Sequence, residues 1–146
     1  MVEESRFVVD EVLTILFDAN AKLHSACADL IQTVEPYRYV RDFRTIRLGV
    51  GLRMGRTRVM LARAAASDLI LSFGASDEPD DMIGATKAMI ATTADLKNAK
   101  KRAVLAETRW SRIWIDDAFY LFSWDDFTTL CKDFVVDADQ QFVLLG

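Results

Sequence analysis

Val50-Gly51-Leu52-Arg53-Met54-Gly55-Arg56-Thr57 is the stretch on which the reading of this chain turns. An apolar run, 45–50, leads into it, and a helix-forming run, 58–66, follows. Strand, glycine-containing turn, hydroxyl residue, helix is the layout of a phosphate-binding loop, whose usual pattern is G-x-x-x-x-G-K-[ST]. Gly55 and Thr57 are in register with that pattern. Arg56 stands in the lysine slot, and Val50 in the first-glycine slot with Gly49 and Gly51 on either side. Such a loop works because backbone N–H groups and a helix N-terminus converge on one anion. Gly55 would permit close approach, and Thr57 would place its hydroxyl on Mg²⁺. Arg56 would hold phosphate by charge, although its planar guanidinium is bulkier than an ammonium.

Outward from the loop, short apolar runs alternate with helical patterns. Residues 5–34 read as one long amphipathic helix, with Phe7, Val8, Val12, Ile15, Leu16, Ala19, Leu23, Ala26, Cys27, Leu30, Ile31 and Val34 at helical spacing. Pro36 ends it by pushing Glu35 out of the helical region. Residues 37–43 form a short helix or turn. Strands are expected over 45–50, 68–73, 112–117 and 141–145, the second closed by Gly74. Helices are expected from about residue 79 or 80 to 91 and again within 92–108. Ser123 reads as an N-cap, with Asp125 and Asp126 in the first turn of a helix running to about 134. The fold class that follows is α/β: a mostly parallel sheet with helices on both faces, preceded by a long N-terminal helix. The 146 residues suit a single domain, 1–146, with the helix over 1–35 and the core over 36–146.

Composition narrows the function classes. Half of the residues are hydrophobic (51%), so the chain can build a core. No apolar run approaches the roughly 18 residues of a membrane span, and the acidic start Met1-Val2-Glu3-Glu4-Ser5 is no signal peptide. Cys27 and Cys131 lack metal-type spacing and are expected reduced and buried, as in a cytoplasmic protein. His24 is the single histidine, expected in a structural role, so a zinc site is not supported. Net charge is −4 but unevenly spread. Arg38, Arg41, Arg44, Arg47, Arg53, Arg56, Arg58 and Arg63 face only Asp42, whereas Asp116, Asp117, Asp125, Asp126, Asp133, Asp137 and Asp139 face only Lys132. Two readings stand side by side. The halves neutralise each other in the fold, or the arginines present a phosphate- or nucleic-acid-facing patch.

The second chemical element is Asp116-Asp117, at the end of the hydrophobic run Ile113-Trp114-Ile115. With the loop, it makes the two-part layout of nucleoside triphosphatases: one carboxylate near Mg²⁺, the next residue polarising water. At this point the chain resembles the ATPase domain of the phage large terminase subunit, a DNA-packaging motor within the helicase-like P-loop class. Pro36-Tyr37-Arg38 is similar to that family's adenine-contacting Pro-Tyr-Gln. Leu52-Arg53-Met54-Gly55-Arg56-Thr57 is similar to its variant phosphate loop. Ile113-Trp114-Ile115-Asp116-Asp117-Ala118-Phe119 is similar to its strand, acidic pair and following Ala-Phe. Residues 69–90 and 142–145 align with further strands and a helix, so the resemblance spans roughly 36–146.

The resemblance implies a nucleotide site. Tyr37 would lie against adenine. Arg53, Gly55, Arg56 and Thr57 would hold the phosphates of ATP. Thr57 and Asp116 would hold Mg²⁺, and Asp117 would position the attacking water. Arg56 for lysine, Asp117 for glutamate, and the absence of the coupling motif and nuclease domain imply a reduced relative of phage type, with weak or no hydrolysis. The competing reading is a non-catalytic interaction or regulatory protein. Its expected partners are a viral or host protein, nucleic acid through the Arg38–Arg63 segment, or a second copy through residues 5–34; a membrane is not among them. The expected location is cytoplasmic, in the host cell for a phage-encoded chain.

Overall fold

In a computed structural model, the described residues are 2–49, 55–72, 85–116 and 123–146, with the backbone alone for 2–6. The elements are α1 (Val2–Ala26), α2 (Ala28–Ile31), α3 (Pro36–Phe43), β1 (Thr45–Leu48), α4 (Arg56–Arg63), β2 (Leu69–Ser72), β3 (Met89–Thr92), α5 (Thr93–Lys97), α6 (Ala99–Glu107), β4 (Arg112–Asp116), α7 (Trp124–Phe134) and β5 (Gln141–Leu145). The five strands form one sheet in the order β1-β5-β4-β2-β3, and every pairing is parallel. The expected α/β class with a long N-terminal helix is what is found.

The order of strands explains the layering. From β1 the chain crosses to β2 and on to β3, then turns back through β4 to β5. Parallel crossovers keep one hand, so reversing direction moves the connecting helices to the opposite face. On one face Val9 and Leu13 of α1 and Val59, Met60 and Leu61 of α4 pack on Ile46, Ile70, Trp114, Val143 and Leu145. On the other, Val40 of α3 and Phe127, Leu130, Cys131 and Phe134 of α7 pack on Leu69, Leu71, Ile113, Ile115, Phe142 and Leu144. Alternation along each strand sends successive side chains to the two layers.

Three expectations change. The helix expected to run to residue 91 is replaced, over Met89–Thr92, by the edge strand β3; residues 73–84 lie outside the described residues. Ala91 is buried between the half-buried Ile90 and Thr92, and β-branched Ile90 and Thr92 suit a pleated surface. The N-terminal helix stops at Ala26, and the separate short helix α2 starts at Ala28 and ends at Ile31. A straight helix would carry Val34 about 12 Å past Ala26, while Pro36 must open α3 beside β1. Cys131 is buried as expected, and burial pushes its thiol up to about 12; Cys27 is only half-buried, and both are free. No helix among the described residues is long and apolar enough to cross a membrane.

Caps and buried polar side chains fix the connections. Ser123 closes a capping box with Asp126, as does Thr92 with Asp95. Asn98 accepts from the N–H groups of Lys100 and Lys101. Gln140 is buried and fully bonded. Its Oε1 accepts from Val136 N at 2.6 Å and Asp137 N at 3.0 Å, and its Nε2 donates to Trp110 O at 2.9 Å and Phe134 O at 3.3 Å. Gln140→Ala removes these bonds and leaves buried backbone groups without them. The expected loss is about 2–4 kcal/mol, at about 1 kcal/mol per net hydrogen bond, read as a lower urea midpoint at unchanged m.

Candidate functional site

Residues from both chemical motifs meet at the carboxyl ends of the central strands. Asp116 is the last residue of β4, paired in register with Ser72 of β2. On its other side β5 separates β4 from β1, so the end of β5 forms the floor between the two. Gly55 is the N-cap of α4, with φ 75° and ψ 15°. Side chains with a Cβ rarely adopt that left-handed conformation, which accounts for glycine here. The turn it makes starts α4 with Arg56 and Thr57 pointing at β4.

The contacts are specific. Thr57 Oγ1 donates to Asp116 Oδ2 at 2.8 Å, across 59 positions of sequence. Arg56 Nε donates to Asp116 Oδ1 at 3.2 Å. Arg56 is 4% exposed and Asp116 is 6% exposed. A cation in the first turn of a helix is unfavourable against the helix dipole, and a carboxylate there is favourable. Asp116 therefore compensates Arg56 and the N-terminus of α4 together. Both residues make further interactions.

The sequence-derived site is gathered in part. Gly55, Arg56, Thr57 and Asp116 come together. Arg53 and Asp117 lie outside the described residues. Tyr37 is not with them. Its ring lies 5.5 Å from Lys132 Nζ, in the last turn of α7, and its hydroxyl accepts from Arg38 Nε at 3.0 Å. Because α7 returns from the carboxyl end of β4 to the amino end of β5, that turn is at the far end of the sheet from Asp116.

The described arginines of 38–63 are divided between the two sides of the sheet. Arg63 pairs with Asp10 of α1 at 2.5 Å, on the α4 side of the sheet. Arg44 donates to Asn20 Oδ1 at 2.6 Å and to the Asp139 carbonyl at 3.1 Å; burial, with Arg112 adding repulsion, lowers its pKa. Arg41 and Arg47 lie 5.2 and 5.1 Å from the ring of Trp124, on the α7 side. The aspartates near the end are neutralised mainly by later arginines: Asp133 by Arg102 at 2.5 Å and Asp137 by Arg109 at 2.5 Å. Arg56–Asp116 is a salt bridge between the two halves. His24 is structural: Nδ1 shares a hydrogen bond with the buried Tyr39 hydroxyl at 2.7 Å, and Nε2 pairs with Asp139 at 2.9 Å.

Two features near or below the site were not read from the sequence. Trp124 is half-exposed at the start of α7, with the Arg41 and Arg47 guanidiniums both near its ring. Asp68, just ahead of β2, is 2% exposed. It accepts from Ala65 N at 2.9 Å, Arg112 N at 3.2 Å and Trp114 Nε1 at 3.0 Å. The only sequence signal for it is a lone charge opening an otherwise apolar run.

The donor set suits the ion that the resemblance implies. A threonine hydroxyl and a carboxylate are hard oxygen donors, and Mg²⁺ binds to few protein oxygens while keeping most of its waters. Thr57 and Asp116, already in contact, are the residues that would hold it. No family model matches this chain, and neither a curated protein nor a solved structure matches it.

Proposed function

We propose that the carboxyl edge of this sheet is a phosphate-recognition site for a nucleotide, with weak or no hydrolysis, on a chain that is a reduced relative of the terminase-type P-loop ATPases of phages. The observation that carries this reading is the pair of hydrogen bonds from Thr57 and Arg56 to the two oxygens of Asp116. It joins the loop's helix start to the acidic strand end, where open parallel sheets bind their ligands. ATP with Mg²⁺ is the ligand class that the motif order favours. A bound Mg²⁺ would supply positive charge against the phosphates. The chain's own part is to orient: Thr57 and Asp116 fix each other, and Gly55 lets the α4 N-terminus approach an anion. Arg56 neutralises Asp116 and is therefore engaged before any ligand arrives. This is the reason to expect binding to exceed turnover. Tyr37 has no part in this reading, given its place at the far end of the sheet.

Titration calorimetry of the full chain with ATP and Mg²⁺ tests the proposal. Binding heat is expected, and Arg56→Lys is expected to tighten binding by about tenfold, the weight of one charge-assisted hydrogen bond. Lysine keeps the cation while presenting a compact ammonium to phosphate. No heat at millimolar nucleotide for either protein overturns it. The second reading, an interaction protein that keeps the fold without the nucleotide, is favoured by a different observation: the apolar outer face of α1.

A further inference from the structure

Helix α1 carries two apolar stripes, and the fold uses one. Val9 and Leu13 are buried against the sheet, with Leu16 and Phe17 packed beside them. The second stripe, Val8, Val12, Ile15, Ala19, Leu23 and Ala26, lies outward. Val8 is 53% exposed, Ile15 65% and Leu23 44%; Ala19 and Ala26 are also exposed, and Val12 is half-buried. The steps from Val8 to Ala19, Val12 to Leu23 and Ile15 to Ala26 each span eleven residues. An eleven-residue repeat has about 3.67 residues per turn, close to the helix's own period. The stripe therefore runs nearly straight along the helix for about 27 Å.

A long, straight, narrow stripe is matched by another helix of similar length. Among the described residues α1, with 25, is the only one that long; the next, α7, has 11. We infer that the outer stripe of α1 is the seam of a homodimer in which the α1 helices of two copies pack antiparallel. A two-fold seam of this kind is self-complementary, so one stripe serves both copies. With the axis near Ile15, Val8 lies against Leu23 of the second copy and Val12 against Ala19 of the second copy. Charge selects the direction. Glu11, Asp18 and Lys22 are exposed along one margin of the stripe. In a parallel pair the two-fold axis sets this margin against the opposite, uncharged margin of the second copy, so Glu11 and Lys22 meet no opposite charge across the seam. The antiparallel pair brings Glu11 beside Lys22 of the second copy, twice. This inference is independent of the nucleotide reading.

Sedimentation equilibrium of the full chain at micromolar concentrations tests it. Twice the chain mass is expected. Ile15→Glu places a carboxylate in the seam and is expected to give a monomer with unchanged far-UV circular dichroism. Val8→Lys, at the end of the stripe, gives a smaller loss by the same readout. Glu11→Lys and Lys22→Glu each weaken the dimer by about fivefold, the scale of exposed ion pairs made twice. The double exchange restores it. A monomeric wild type, an Ile15→Glu chain that stays dimeric, or a double exchange that stays weak overturns the antiparallel seam.

Discussion

Asp116→Ala lowers the unfolding free energy by about 3–5 kcal/mol, the range for removing one partner of a buried ion pair. The reason lies in asymmetry. The Arg56 guanidinium, 4% exposed at the start of α4, loses a carboxylate to which it donates. The Thr57 hydroxyl loses its acceptor at 2.8 Å. The charge that offsets both the cation and the helix dipole goes with them. Replacing both charges is a different matter. Arg56→Met with Asp116→Ala removes the desolvated pair as a unit and is expected to recover most of the loss. A denaturant-based double-mutant cycle reads the difference as a coupling energy. A coupling near zero would mean that the pair does not hold the two motif segments together. Either single change is also expected to weaken nucleotide binding, and the double variant separates the causes by regaining stability without regaining binding.

Asp68→Ala is the other change with a large expected effect, about 4 kcal/mol or more. Each hydrogen bond to a charged acceptor is worth about 1.5–3 kcal/mol, and three converge on this carboxylate. They come from three places: the turn after α4, the first residue of β4, and the indole of Trp114 within β4. Asp68 therefore holds β4 beside β2 at their amino ends, while main-chain pairing holds the rest. Domains of this size have only about 5–15 kcal/mol in total, so the variant is expected to be partly unfolded at 37 °C. Asp68→Asn keeps one oxygen and turns an amide towards N–H donors, so it should cost about half as much. Thermal melts of the two variants order the effects, and equal melting temperatures for Asp68→Asn and wild type would show that the charge is immaterial.

What could be read from the residues divides along a physical line. The runs at 69–72, 112–116 and 141–145 are short, apolar and bounded by polar or turn residues, and they are strands because burial on two faces demands that composition. Ser123 could be read as a cap because capping is local. Gly55, Arg56, Thr57 and Asp116 could be grouped because loop and acid each sit at the end of such a run. The misses depend on tertiary partners. Residues 89–92 have Met and Ala in helical proportion and become a strand because β2 offers an edge. Asp68 could not be valued, since its donors at Arg112 and Trp114 lie 44 and 46 positions away. Tyr37 could be matched to a motif, but its position depends on the direction of α7, which no local pattern states.

The place of β5 has a consequence for how this sheet is assembled. Among the described strands it comes latest in the sequence, and its neighbours in space are β1, the earliest, and β4. All five of its residues are buried. Among the described residues β5 is the strand that pairs with β1, so until Gln141–Leu145 is available that hydrogen-bonding edge stays open through the synthesis of almost a hundred residues between Leu48 and Gln141. The contacts that join β1 to the sheet are thus among the longest in the chain, and closing so long a loop slows folding. During synthesis α1, α3 and β1 would wait as one unit for β5, the keystone between β1 and β4.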